Sequence, residues 1–206
     1  MKKSTAVRLA LTAMVAMTLH ANDLELGILA DKQVGKAQAL AAGTSGNLQP
    51  GRYDAVSPTG VGFRAAYTFL DLKIAGLGAA VTYHPKVQGD LVAGGTTLGR
   101  YGSEYTSVGL QADWKFLVNL NAGVDYRAEK LTTVASAGGT SESTTLTRPW
   151  ARVGIGFSAP LPVVSPFVRL EVAAPLTTPS NGGGPEDFRK AMAPSFQVAL
   201  YGGIRF

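Results

Sequence analysis

The chain has 206 residues, no cysteine and a charged fraction of 16%, which is low against the about 25% of soluble domains. This length suits one domain, and the lack of cysteine excludes disulfides, thiolate nucleophiles and thiolate metal sites. The formal charge is +5, but without Lys2, Lys3 and Arg8 it is +2, because 16 basic and 14 acidic residues remain. The composition therefore does not indicate nucleic-acid binding.

Residues 1–21 are predicted to be a cleaved signal peptide. Three basic residues give a positive start, an apolar stretch follows at 9–19, and the small Ala21 precedes Asn22. Such a segment is recognised by the export machinery and removed. A transmembrane anchor is the alternative, but the stretch is shorter than the about 20 apolar residues that span a bilayer. The mature chain, residues 22–206, is predicted to form one domain.

Apolar residues alternate with polar or small ones along most of the mature chain. A period of two is typical of strands rather than helices. In the run that begins at Val61, for example, Phe63, Ala65 and Tyr67 share one face, while Arg64 lies on the other. The pattern predicts eight strands, at 24–30, 61–69, 77–83, 108–116, 120–129, 151–158, 167–174 and 196–206.

The polar face of these strands carries full charges and many glycines and alanines. A soluble barrel or sandwich would turn the apolar face inward, whereas a membrane barrel turns it toward lipid and keeps the polar face in the lumen. Charges in mid-strand favour the second arrangement, and aromatic residues toward strand ends suit an interfacial girdle. The charges assigned to the lumen are Glu25, Arg64, Asp113, Asp125, Arg127, Arg152, Arg169, Glu171 and Arg205.

The connections between strands alternate strictly between short and long. Short turns are expected at 69–72, 117–118 and 160–164, and long loops at 31–59, 85–103, 132–147 and 176–194. Transmembrane barrels have short periplasmic turns and longer external loops. The chain is therefore predicted to be an all-β, eight-stranded, antiparallel up-and-down transmembrane barrel. A ten-stranded barrel stays open, because Leu91–Leu98 suits an extra short hairpin. Separately, Lys130–Pro149, with Gly138-Gly139 at its centre, suits one long hairpin that extends the strands past the membrane.

The last strand ends on an aromatic residue, with apolar residues or glycine at every second position before it. These residues are Phe196, Val198, Leu200, Gly202, Ile204 and Phe206. The segment resembles the carboxy-terminal signal strand of bacterial outer-membrane proteins, and the mature chain is similar in architecture to the small OmpA/OmpX-type and opacity-protein-like barrels. The resemblance implies a multi-pass location in the bacterial outer membrane, insertion by the barrel assembly machinery, and contact with outer-membrane lipids and lipopolysaccharide. In that family the barrel is an anchor and function lies in the external loops.

The lumen charges are expected to pair with one another. The lumen of an eight-stranded barrel is just wide enough for side chains to fill, and buried charges persist only when they are paired and hydrogen-bonded. The strand register predicts that Arg152 lies near Asp125 and Glu171, and that Glu25 meets Arg205 where the barrel closes. We expect this network to plug the lumen; a gated conduction path is the alternative.

His84 is the one histidine left after removal of the signal peptide. A lipid-modifying barrel enzyme would need a histidine with a serine and an acidic partner, and Ser103, Ser107 and Glu104 lie near the end of the neighbouring strand. The alternation turns His84 toward the lumen, away from lipid, so no catalytic residue is expected. One histidine with scattered carboxylates also predicts no metal site.

The expected function is that of a non-enzymatic outer-membrane protein that serves envelope integrity, adhesion or surface contact. Two alternatives remain at this point: a barrel enzyme similar to lipid A deacylases, and a soluble lipocalin-like barrel that binds an apolar ligand. No cofactor is expected, and the sequence names no external partner.

Overall fold

The computed structural model describes residues 24–40, 51–55, 58–72, 74–115, 118–135, 141–159, 161, 163–180, 182 and 184–206. The predicted signal peptide, residues 1–21, lies outside this part of the chain, and so does the Gly138-Gly139 pair.

The described residues form strands almost throughout. The strands are β1 Leu24–Val34, β2 Gln38–Leu40, β3 Gly51–Ala55, β4 Thr59–Asp71, β5 Ala75–Ala93, β6 Thr96–Lys115, β7 Asn119–Ala135, β8 Glu142–Ser158, β9 Ser165–Pro175 and β10 Phe196–Arg205. One short helix, α1, spans Pro185–Ala191.

Eight of these strands close into a ring. Each pairs antiparallel with its neighbours in the order β1, β4, β5, β6, β7, β8, β9, β10, and β10 pairs back onto β1. The closing register places Glu25 opposite Arg205 and Ala30 opposite Leu200. A closed ring leaves no strand edge with unpaired backbone groups, which a barrel in hydrocarbon requires. The predicted eight-stranded antiparallel barrel is confirmed.

The two faces of the barrel wall differ sharply in chemistry. The outward face is a belt of exposed apolar side chains, among them Ile28 at 54%, Leu110 at 63% and Phe157 at 61% exposure. The inward face buries charged residues such as Glu25 and Arg169. A soluble barrel has the opposite arrangement, so the belt is the lipid-facing surface of a membrane barrel.

The strands β5 and β6 run well beyond the belt, where the sequence analysis placed a long loop at 85–103. A two-residue turn at Gly94 and Gly95 joins them, with φ of +57° and +82°. Positive φ at both turn residues suits the hairpin turn whose twist matches that of the strands, and glycine adopts it without strain. A bulge between His84 and Val87 accommodates Pro85, which has no backbone N–H for the ladder. The hairpin adds length to the ring and no extra strands, so the ten-stranded alternative is wrong.

The segments at the loop end of the barrel pack into a folded unit, here named the loop cap. Its buried core comes from β3, from the outer ends of β5, β6 and β7, and from α1 with the residues that follow it. The core residues are Tyr53, Leu91, Tyr101, Leu131, Ala135, Phe188, Met192 and Ala193. The connections predicted as long loops supply much of this core, and their apolar side chains bury one another.

The helix α1 begins with Pro185 at its first turn, where proline costs no hydrogen bond. Acidic residues occupy its first turn and basic residues its last, which suits the helix dipole. It was predicted as part of a loop, since seven residues are too few for a helical period to be visible in the sequence.

Candidate functional site

The residues predicted for the lumen charge network all lie on the inward face of the barrel. Eight of them are buried. Arg205 is partly exposed and lies at the end of the barrel that carries the short turns, here named the turn end. The strands that carry them alternate inward charged or small residues with outward apolar ones, so their side chains converge on the barrel axis.

Glu25 of β1 is the centre of a first cluster near the turn end. Arg169 of β9 donates from Nη1 and Nη2 to the two carboxylate oxygens of Glu25, at 3.0 and 2.8 Å. Arg205 of β10 donates to the same carboxylate at 2.6 Å. The Nη2 atom of Arg169 also lies 3.3 Å from Oδ1 of Asp113. Two cations therefore neutralise Glu25, and one of them extends the cluster to β6.

A second cluster links β4, β7, β8 and β9. Arg64 donates from Nη1 to both oxygens of Glu171, at 2.9 and 2.7 Å. Arg152 donates from Nε to Asp125 at 2.9 Å, and its Nη1 lies 3.8 Å from Glu171. The structure thus brings together Arg152 with Asp125 and Glu171, and Glu25 with Arg205.

Neutral amides complete these clusters. Arg152 donates to the Gln111 carbonyl at 3.0 Å, and the Gln111 amide donates to Asp113 at 3.2 Å. Asn121 also donates to Asp113, at 3.0 Å. These amides join the two clusters, and the sequence analysis did not assign them a role.

Arg127 is the member that the structure places apart from these carboxylate clusters. Its Nη2 donates to the Gln197 carbonyl at 2.9 Å. Its guanidinium carbon lies 3.9 Å from the ring centroids of both Tyr105 and Trp150. A planar guanidinium between two aromatic rings is held by cation–π attraction, which strengthens when the group is desolvated.

Further buried charges, whose pairing was not predicted from the sequence, lie at the loop end of the lumen. Arg148 donates from Nε to Glu129 at 2.9 Å, and His84 Nε2 lies 2.8 Å from Asp31 Oδ1. The signal was present, since Asp31 continues the inward alternation of Glu25 and Leu29. It was hidden because position 31 was assigned to a loop.

Hydrogen bonds tie α1 to β8 within the loop cap. Thr144 donates to Glu186 at 3.1 Å, and Arg189 pairs with Glu142. Hydrogen bonds from Lys190 and Thr144 lower the pKa of Glu186, so it is ionised at neutral pH. Burial raises the pKa of the Tyr101 hydroxyl well above its usual range.

Buried side chains of the two clusters occupy the lumen. A cavity of about 10 Å³ remains between Arg64, Arg127, Arg152 and Glu171, which is room for about one water molecule. The arrangement can hold the wall of the barrel together from within.

His84 is not arranged as a catalytic base. Its ring is fully buried, Nε2 contacts Asp31 and Nδ1 lies 2.9 Å from the Pro85 carbonyl oxygen. Both ring nitrogens are therefore occupied, and neither is directed at a serine hydroxyl. Glu104 instead pairs with Lys130 on the partly exposed outer face, at 3.3 Å.

Among the described residues, no group of histidine and carboxylate side chains could hold a metal ion. In the same part of the chain, no helix combines the length and apolar character needed to cross a membrane.

No protein-family model and no curated protein matches the chain. Solved structures do. The outer membrane protein OprG from Pseudomonas aeruginosa aligns with a TM-score of 0.52 and 14% identity, over 89% of this chain and 96% of that chain. The fold is that of a small outer-membrane β-barrel. Neisserial surface protein A aligns with a TM-score of 0.49 and 11% identity, over 91% of this chain and 98% of that chain. Ail, the attachment invasion locus protein of Yersinia pestis, aligns with a TM-score of 0.48 and 16% identity, over 89% and 97%.

At these identities the likeness concerns the fold alone. It matches the resemblance that the alternating strands and the aromatic carboxy terminus indicate.

Proposed function

We propose that this protein is a non-enzymatic integral protein of the bacterial outer membrane, in which a plugged barrel anchors a folded cap at the cell surface. The observation that carries the proposal is the contrast between the two ends of the barrel. The turn end has short connections, whereas the loop end builds a cap with its own buried core around Tyr53, Tyr101 and Phe188. A lumen occupied by buried, ion-paired side chains beneath the cap favours surface contact or envelope integrity over transport.

The test is a strain that lacks the protein, complemented with either the wild type or a cap-trimmed variant. In the variant a short glycine–serine turn replaces residues 177–193, which removes α1 and leaves the barrel strands. Heat-modifiability on a gel verifies that the variant barrel folds, and Lys190→Ala is the matched control that keeps the cap. We expect the trimmed variant to lose adhesion or detergent resistance while its barrel persists. Full complementation by the trimmed variant would contradict the proposal.

We further propose that the outer face contacts lipopolysaccharide phosphates. Exposed Lys32, Lys86 and Lys130 follow the apolar belt at the loop end of β1, β5 and β7. Lysine is a point charge that suits a phosphate. Changing all three to glutamine should lower the amount of co-purified lipopolysaccharide, whereas Lys115→Gln at the turn end should leave it unchanged. An equal amount in the triple variant and the control would contradict this partner.

For assembly, we propose that β10 is the strand that the barrel assembly machinery reads. Its outward residues end at Ile204 and Phe206, and the strand closes the barrel against β1. Phe206→Ala should slow insertion into membranes that contain the machinery, and should not alter folding into detergent micelles. A variant that is inserted at the wild-type rate would exclude this role.

The enzymatic alternative is tested separately. His84→Ala should leave the lipid A profile of the strain unchanged, because both nitrogens of the ring are already bound. A changed lipid A profile in this variant would support the alternative of a lipid-modifying enzyme.

A further inference from the structure

The ring of His84 crosses the inner surface of a neighbouring strand. His84 belongs to β5, and its ring lies over Gly60 and Gly62 of β4. A Cβ atom at Gly60 would lie 2.6 Å from Cε1 of the ring, and one at Gly62 would lie 2.8 Å from Cδ2. The two glycines open the space that lets the ring reach past β4 to Asp31 of β1. Its Nε2 lies 2.8 Å from Oδ1 of that residue.

The hydrogen bonds of the His84 ring determine which of its two nitrogens carry a hydrogen. The Pro85 carbonyl oxygen, 2.9 Å from Nδ1, can only accept a hydrogen bond, so Nδ1 carries a hydrogen. A single proton must then lie between Nε2 of His84 and Oδ1 of Asp31, on one atom or the other. Without that proton, a ring lone pair faces a carboxylate oxygen and the contact becomes repulsive.

Few charged groups surround this pair. The Tyr105 ring of β6 stacks on His84, with centroids 5.0 Å apart and planes 13° apart. The Arg127 guanidinium of β7 lies over Tyr105. On β10, Gln197 donates to Oδ2 of Asp31. In the described chain, Asp31 is the one carboxylate that contacts His84. The His84–Asp31 contact therefore links β5 to β1 across β4.

The same network reaches the end of the loop cap. Gln197 accepts from Arg127 at 2.9 Å. It is two residues beyond Ser195, whose backbone N–H bonds to the Val34 carbonyl at 2.8 Å. Arg148, which lies over the same Trp150 ring as Arg127, donates to the Pro194 carbonyl at 2.6 Å. Pro194 and Ser195 connect α1 to β10, so the hydrogen bonds that begin at Asp31 end where the cap joins the barrel.

We propose that the proton shared by His84 and Asp31 is a latch that holds the loop cap on the barrel. While the proton is present, His84 fixes Asp31, and Asp31 holds Gln197 at the base of the cap. As the pH rises and the proton leaves, the repulsive contact separates β5 from Asp31 and frees the segment that carries α1. The cap should therefore be closed at acidic pH and more mobile at alkaline pH.

The test is amide hydrogen exchange in α1 and at Ser195, measured in detergent micelles over a series of pH values from acidic to alkaline. Rates are corrected for the intrinsic pH dependence of exchange. We expect wild-type protection of these amides to fall several-fold as pH rises, and to be independent of pH in His84→Gln and Asp31→Asn. Asp90→Asn, on the exposed β5–β6 hairpin, is the control and should behave as the wild type.

Two outcomes would overturn the latch. One is the same pH dependence of the cap in His84→Gln or Asp31→Asn as in the wild type. The other needs no variant: nitrogen-15 spectra of the His84 ring that show Nδ1 without a hydrogen at acidic pH would remove the basis of the proton count. Spectra with Nδ1 protonated throughout, and Nε2 changing as the cap loosens, would support it.

Discussion

Arginine is the cation of the buried ion pairs in the lumen, apart from the His84–Asp31 pair. The described lysines with ionic partners, Lys115, Lys130 and Lys190, lie at partly exposed positions instead. The planar guanidinium presents several donors in a fixed fork, so one arginine can satisfy two carboxylate oxygens and a further acceptor. An ammonium group at the same place would leave one of the buried oxygens without a donor.

Replacing Arg169 by lysine tests this requirement. The variant keeps the charge but cannot reach both oxygens of Glu25 and also Asp113. We expect the free energy of unfolding to fall by about 1.5–3 kcal/mol, the usual worth of a hydrogen bond to a charged group. Equilibrium unfolding in urea, in lipid vesicles, measures it. Arg100→Lys on the exposed hairpin is the control and should change stability by about 0.5 kcal/mol or less; equal losses in the two variants would refute the argument.

Glycine makes room for these guanidinium groups. A Cβ at Gly123 would lie 2.8 Å from Nε and 2.9 Å from Nη2 of Arg152, a group that Asp125 and Gln111 hold in place. Gly123→Ala should therefore destabilise the barrel by about 1–3 kcal/mol through overpacking. At Gly202 the nearest atom to a Cβ is the Phe167 carbonyl oxygen at 3.6 Å, so Gly202→Ala should be nearly neutral. If both variants unfold at the same urea concentration, the lumen is looser than the geometry indicates.

At this scale the sequence predicts partners only where the strand register is known. Asp125 and Arg152 could be placed together because adjacent strands were aligned by their alternation. The contact between Arg169 and Asp113 joins strands that are not neighbours in the ring, and its geometry depends on how side chains cross the lumen. Alternation along single strands carries no information about that crossing.

At the scale of elements, the eight strands were predictable because a membrane barrel repeats one pattern, apolar toward lipid and polar or small toward the lumen, in every strand. The outer ends of these strands were not predictable from the sequence. Beyond the lipid belt the outward face of β5 and β6 is polar. The alternation of apolar and polar residues by which these strands were predicted therefore stops near the level of His84, although the strands continue. The cap core is assembled from single residues such as Tyr53, Leu91 and Phe188, which come from separate segments and leave no period in the sequence.

Removing one core side chain should separate the cap from the barrel. Phe188→Ala leaves a cavity beside Tyr53, whose ring centroid is 5.7 Å away, and large-to-small changes at aromatic core positions cost about 3–5 kcal/mol. We expect faster hydrogen exchange in α1 and in the ends of β7 and β8, with barrel amides still protected. Ser180→Ala, at an exposed position in the segment before the same helix, should change exchange little. Loss of protection in the barrel strands of the Phe188 variant would mean that cap and barrel unfold as one unit.

At the scale of the molecule, the barrel is a wall whose outside is apolar and whose inside is filled with paired charges. The belt contacts lipid, and the ion pairs hold the strands together from within. The segments at the loop end form the loop cap. A filled lumen makes a clear prediction for transport. Purified protein in planar lipid bilayers should give no regular conductance steps, and reproducible steps of one size would show that the plug opens.

The central claim, a closed membrane barrel, is tested most directly by heat-modifiability on a denaturing gel with protein from purified outer membranes. The unheated sample should migrate faster than the heated one, because a closed barrel resists the detergent until it is boiled. The protein should also be found in the outer-membrane fraction and need detergent to remain monomeric. Protein that is recovered from the soluble periplasm, with the same migration before and after heating, would contradict the account.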